Sequence, residues 1–216
     1  MEPINLDWGK ETSQNYCKDS AKLIKNDYLH WAIRIHEKNI GIPHPKIADI
    51  GCGPGFLSFE LNKLLSGKYY FVDSSKDMVN FAKQEAKKND IDAEFIISPA
   101  ENPALPDNSV DIVICKHILL SLSGITSCLE NIYRILADGG CVNIIDANPQ
   151  SSKLMARVIS WYAKMTVSKE RAEKSWNAYL NGISHANVVQ EMNRIGFKEV
   201  NVSFHFPMAY FITATK

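Results

Sequence analysis

The chain has 216 residues, 45% hydrophobic and 22% charged, the balance of an ordinary soluble globule long enough for one domain with appendages. Lys plus Arg number 24 and Asp plus Glu number 24, so no global basic field exists to collect nucleic-acid phosphates or membrane headgroups, and only a local basic patch is left open. No apolar run is long enough to span a bilayer, and the N-terminus lacks a charged-then-apolar leader, which predicts a cytoplasmic protein with neither a nucleic-acid nor a membrane partner.

In chain order, residues 10–40 read as one long helix or two short ones, because Ile24, Tyr28, Trp31 and Ile35 form one apolar stripe. Gly41, Pro43 and Pro45 end it. "KIADI" (46–50) predicts a first strand and residues 56–66 a helix. "KYYFVD" (68–73) is a second strand, followed by a serine-capped helix to about residue 89. "AEFIIS" (93–98) and "VDIVICK" (110–116) are strands three and four, the latter apolar on both faces as a central parallel strand would be. "SCLENIYRILADGG" predicts a helix closed by its two glycines, and "CVNIIDA" (141–147) a fifth strand. Residues 151–182 break the rhythm with two further helices. A capped helix then ends at Gly196, and two strands follow on either side of Pro207. So short a link cannot make a crossover, so these last strands are antiparallel neighbours.

Five strand–helix alternations plus a terminal strand pair predict an α/β, Rossmann-like, doubly wound sheet of seven strands, mostly parallel with an antiparallel last strand. The chain divides into an N-terminal helical cap (1–45), a core (46–150), a helical insertion (151–182) and a closing unit (183–216). The five cysteines, Cys17, Cys52, Cys115, Cys128 and Cys141, include no CxxC, which predicts reduced thiols and no metal site. Cys115, Cys128 and Cys141 read as small buried hydrophobes, whereas Cys17 lies in a polar segment.

In such a sheet a ligand sits at the carboxyl ends of the strands, where their order reverses. After the first strand, Gly51, Gly53 and Gly55 allow backbone N–H groups to approach a ligand closely. Asp73 ends the second strand, where an acid can accept both hydroxyls of a ribose. Together they imply a nucleoside. The dinucleotide fingerprint GxGxxG requires a third glycine where Phe56 stands, so the expected ligand lacks a pyrophosphate. A nicotinamide-dependent oxidoreductase conflicts with Phe56 and with the terminal antiparallel pair.

These residues resemble the class I S-adenosylmethionine-dependent methyltransferases, and within them the small-molecule group that includes the ubiquinone-biosynthesis type. The resemblance covers residues 46–150 motif by motif and extends to "GFKEV" and "FITATK". It implies that Asp49, Gly51, Cys52, Gly53 and Gly55 in "ADIGCGPG" hold the methionine and ribose part of S-adenosyl-L-methionine. Asp73 would take the ribose, Ser74 and Met78 would lie beside the adenosine, and Ala100 and Glu101 would flank the adenine. Lys116 and His117 would follow the fourth strand near the methionine end. Two positions depart from the pattern. Pro99 replaces an adenine-binding Asp, and Ser121 stands where many members carry a His.

Methyl transfer from a sulfonium is an in-line displacement, so aligning the reactants is the main task and no fixed catalytic residue follows. His117 is a candidate general base or a hydrogen-bonding histidine at a helix start. Asp146 either orients an acceptor or caps a turn. Trp8, Tyr16, His117 and Asn148 are candidates to line the acceptor site. The implied function is methyl transfer to a small-molecule acceptor of open identity; the alternative is a non-catalytic cofactor- or partner-binding member of the fold.

Overall fold

A computed structural model describes residues 17, 25–122, 124–166, 173, 176, 179–205 and 209–216. The strands are β1 (Lys46–Ile50), β2 (Lys68–Asp73), β3 (Ala93–Ile97), β4 (Val110–Lys116), β5 (Leu136–Ala147), β6 (Lys198–His205) and β7 (Ala209–Thr215). They form one seven-stranded sheet in the order β3-β2-β1-β4-β5-β7-β6. Strands β1 to β5 pair in parallel, and β7 runs antiparallel to both β5 and β6. This is the architecture expected from the sequence, last strand included. The order reverses between β1 and β4, which places the ligand crevice at their carboxyl ends.

Among the described residues, helices α1 (Lys25–Lys38), α2 (Phe56–Asn62), α3 (Lys76–Lys88), α4 (Ile125–Ile135), α5 (Lys153–Thr166) and α6 (His185–Ile195) flank the sheet. Side-chain alternation along the central strands divides the core in two. Ile112 and Ile114 of β4 join a cluster with Trp31, Ile35, Phe59, Phe71 and Phe211, under α1 to α3. Val113 and Cys115 face the other way, onto Cys128, Ile132 and Met192 of α4 and α6. No helix among the described residues is long and apolar enough to cross a membrane.

The α1 stripe is core: Tyr28, Trp31, Ala32 and Ile35 are all buried, at the i, i+3, i+4, i+7 spacing of one helical face. The stripe's fourth predicted member, Ile24, lies outside the described residues. At the far edge of the sheet, Arg34 donates to the Ser203 hydroxyl on β6 at 2.8 Å, so α1 runs from the end of β4 to the β6 edge. Ser75 and Ser184 cap α3 and α6 by accepting from Met78 N and Asn187 N, and Gly196 ends α6 in the left-handed region at φ 110.

One expected boundary moves. The "LADGG" segment does not prolong α4; the chain turns extended at Leu136 (φ −64, ψ 134) and Leu136 pairs with Val110. The reason lies in the hydrogen bonds of the last turn. The carbonyls of Arg134 and Ile135 accept from Asn108 N and Ser109 N, so they need no glycine cap, and Leu136 is free to bury itself in the sheet. Gly139 then sits in the irregularity before Cys141 rejoins the ladder opposite Ile112. Of the second predicted helix in 151–182, Glu173, Trp176 and Tyr179–Asn181 are helical; the other residues of 167–178 lie outside the described set. Cys17, Cys115 and Cys128 are buried, while Cys141 is half-buried.

Candidate functional site

The ends of β1, β2 and β4 and the loop after β3 open onto one cleft. Its floor is the glycine turn. Gly51 N and Cys52 N both donate to Val72 O, at 2.8 and 3.0 Å, which ties the turn to β2. A Cβ on Gly51 would lie 2.2 Å from the Ile118 side chain, and one on Gly55 2.8 Å from the Phe71 ring, so neither position accepts a larger residue without displacement. Gly55 thus brings α2 down onto the sheet, the task the dinucleotide pattern gives to a glycine at the next position. Phe56 is freed to line the cleft, where its ring lies 5.7 Å from Tyr28 and 5.9 Å from Phe81.

Two carboxyl groups bracket this turn, Asp49 buried and Asp73 half-buried. Asp49 on β1 is 4% exposed and accepts the Ser58 hydroxyl of α2 at 2.6 Å. Burial pushes its pKa up to about 7; the Ser58 bond opposes the rise, nearby Asp73 adds to it and Lys116 opposes it. Asp73 accepts from Gly53 N on one oxygen and from Ser75 N on the other, both at 2.8 Å. Burial raises its pKa too, against the pull of these two amides. The Cys52 thiol is pushed well above its ordinary value by burial and by both carboxylates, so it stays protonated and is no nucleophile.

The opposite wall comes from the loop after β4 and from α1. Lys116 reaches Asp27 of α1 at 3.3 Å and lies 4.9 Å from the Tyr28 ring centroid. Asp27 is itself held by the Trp31 indole N–H at 2.9 Å. Next to Lys116, His117 has φ 58 and its N–H donates to Ile145 O. Asp146 sits behind this loop, 4% exposed, accepting from Leu119 N at 3.1 Å and from Ala147 N at 2.7 Å. Its Oδ1 lies 3.8 Å from His117 Nδ1. The third wall is the loop after β3. Glu101 O accepts from Ser127 and Asn131 of α4, and the Arg134 guanidinium bonds Pro103 O, Leu105 O and Asp107, so α4 clamps residues 101–107.

A family model described as a methyltransferase domain matches residues 43–196. The chain belongs to that methyltransferase-domain family. Among similar proteins, the demethylmenaquinone methyltransferase of Lactococcus lactis is 27% identical over 158 residues, which cover 70% of this chain and 62% of that protein. The rat mitochondrial arginine-hydroxylase NDUFAF5 is 28% identical over 135 residues, 61% of this chain and 38% of its own length. The alignments thus span one to two thirds of these relatives. A SAM-dependent methyltransferase of Aquifex aeolicus superposes with a TM-score of 0.72 at 19% identity, over 96% of this chain and 98% of that one. The methyltransferase domain described here therefore has the fold of the S-adenosylmethionine-dependent methyltransferases.

Of the residues expected in its site, Asp49, Gly51, Cys52, Gly53, Asp73, Ser74, Met78, Ala100, Glu101, Lys116 and His117 share the cleft. Gly55 stands behind its wall instead, against Phe71 and Phe59. Asp146 is the support of the 117–119 loop and is not a lining residue. Asn148 accepts from Gln150 N, so it makes a turn at the approach to α5, away from the lining. Trp8 and Tyr16 lie outside the described residues. Pro54, Leu57 and Ile118, each flanking a predicted motif, line the cleft as well, as do Pro99 and Ser121, the two positions that depart from the family pattern. Tyr28 carries no local signal, since it belongs to a stripe indistinguishable in sequence from core.

Proposed function

We propose that this chain is an S-adenosyl-L-methionine-dependent methyltransferase that transfers the methyl group by in-line displacement to a small-molecule acceptor. The observation that carries the reading is a pair of carboxyls, buried Asp49 and half-buried Asp73, set on either side of the glycine turn in one cleft. The residues fit that cofactor. Each Asp73 oxygen accepts a single amide and keeps a lone pair for a ribose hydroxyl. Asp49, buried and raised, gains a partner when a cationic methionine end lies beside it. Ser74 and Met78 would flank the adenosine. Ala100 and Glu101 would flank the adenine, with Pro99 lacking both an acceptor side chain and an N–H.

When bound, the cofactor supplies an electrophilic methyl group on a sulfonium. The chain's own contribution is alignment: the clamped 101–107 loop, the turn tied to β2 and the Asp146-held 117–119 segment form a rigid frame around the reactants. A proton acceptor is needed only when the methyl acceptor carries a proton to be lost. His117 then is the candidate: it lines the cleft, and its Nδ1 lies 3.8 Å from Asp146 Oδ1. Segments 1–45 and 151–182 are proposed to select the acceptor around the 46–150 core, with 183–216 closing the sheet. From 1–45, Tyr28 supports that role; among the described residues of 151–182, none lines the cleft.

Isothermal titration with S-adenosylhomocysteine tests the reading, with micromolar binding expected; no heat at high micromolar concentration would sink it. Incubating labelled S-adenosylmethionine with a small-molecule extract should then give a methylated product. The non-catalytic alternative is not favoured, since the family matched over residues 43–196 is one of methyltransferase domains, and it would need binding without any such product.

A further inference from the structure

Helix α5 begins six residues after β5 finishes at Ala147, on the same carboxyl edge of the sheet as the cleft. This helix carries apolar side chains that stand exposed among the described residues. Leu154, Val158, Trp161 and Met165 are 73%, 51%, 64% and 69% exposed. Their spacing of four, three and four residues aligns them as one stripe along the helix. The opposite side is the one that packs, with Ala156 fully buried. Leu180, 54% exposed, follows Tyr179, whose hydroxyl donates to Ser151 O just before the helix begins.

Charge is segregated on the same helix. Lys153, Arg157 and Lys164 are all exposed, and α5 holds no acidic residue. At about 100° per residue the three cations fall within about 40° of one another, along one flank of the apolar stripe. A chain with zero formal net charge thus concentrates three positive charges beside its exposed apolar side chains. The same helix of a second copy, packed stripe to stripe, would bring cations against cations. A helix that lies in a bilayer interface satisfies both features at once: the stripe enters the acyl boundary, Trp161 sits at headgroup depth and the cations meet anionic phosphates.

We propose that α5 is an interfacial helix that docks this chain on anionic membrane surfaces, with the cleft edge turned toward the lipid. The expectation of no membrane partner, drawn from overall charge and from the lack of a span, concerned neither a local stripe nor a local patch. This surface is separate from the cofactor residues, so its test stands independently of the methyltransferase reading.

The test is co-sedimentation of the full chain with phosphatidylcholine vesicles, with and without about a third phosphatidylglycerol. Binding is expected to the anionic vesicles only and to fall as salt is raised. The Lys153→Glu, Arg157→Glu, Lys164→Glu triple variant should bind at least roughly a hundredfold more weakly, near one factor of five per cation removed. The Val158→Asp, Trp161→Asp double variant should lose binding while keeping the far-ultraviolet circular dichroism of the parent, because both side chains are exposed. The proposal is overturned by the absence of binding to anionic vesicles, or by binding that both variants retain. It is equally overturned if light scattering finds a dimer that the aspartate pair dissolves and vesicles do not recruit.

Discussion

Asp49 and Asp146 are both buried acids at strand ends, yet their surroundings give them different work. Asp49 faces a hydroxyl and open cleft, whereas both oxygens of Asp146 are engaged with backbone N–H groups. Asp73→Ala should therefore weaken S-adenosylhomocysteine binding roughly a hundredfold, the loss of two charge-assisted bonds to a ribose. Asp146→Ala should stay within about tenfold of the parent and instead cost about 1–3 kcal/mol of stability, since Leu119 N loses its acceptor. Titration calorimetry and urea unfolding separate the two, and equal affinities would contradict this assignment. The pH response of Asp49 follows from its raised pKa. Between the ordinary value of 3.8 and about 7, the folded protein keeps a proton that the unfolded chain has released. Its contribution to stability is complete below the lower value and is lost as pH rises through about 7. The Tm of the parent should accordingly fall relative to that of Asp49→Asn between about pH 5 and about pH 8.

At the scale of elements, the walls of the cleft are loops, and each is held by a helix or strand behind it. Arg134 shows how. Its guanidinium reaches two carbonyls and a carboxylate in 103–107 and bonds Asn131 on its own helix. Arg134→Ala should cost about 2–3 kcal/mol in urea unfolding and weaken S-adenosylhomocysteine binding as well, because the loop carrying Ala100 and Glu101 loosens. Arg134→Lys should rescue little, since a single ammonium cannot span acceptors that a planar fork reaches together. The same arginine belongs to the motif "NIYRILADGG", where sequence alone suggests only a helix end. On the opposite wall, α1 couples core to cleft: Trp31 anchors the helix, orients Asp27 and so positions Lys116.

At the scale of the whole molecule, ligand binding and folding are linked because the cleft draws its walls from α1, β1, β2 and the loops after β3 and β4. S-adenosylhomocysteine at about a hundred times its Kd should add about 2.7 kcal/mol of stability. For a chain of 216 residues that corresponds to a Tm rise of about 5–10 °C. Differential scanning fluorimetry measures it, and the rise should vanish for Asp73→Ala at the same ligand concentration. A parent protein with no shift would show that these walls do not meet on that ligand.

Sequence by itself determined the alternation of strands and helices, the antiparallel end and the glycine-and-acid signature, because each rests on contacts close in the chain. A period of two or of 3.6 and a turn glycine are local properties. Tertiary structure decided what local pattern could not express. Asp146 and Asn148 read alike as strand-end polar residues, and only the approach of the 117–119 loop made one of them a support. Tyr28 and Trp31 share one stripe, and only the position of β4 put the first at the cleft and the second in the core. The "LADGG" segment became strand because Asn108 and Ser109, nearly thirty residues earlier, satisfied the carbonyls a glycine cap would have served. The exposure of Leu154 through Met165 belongs to the same class: amphipathic pattern is visible in the chain, but whether a stripe is covered depends on which elements fold over it.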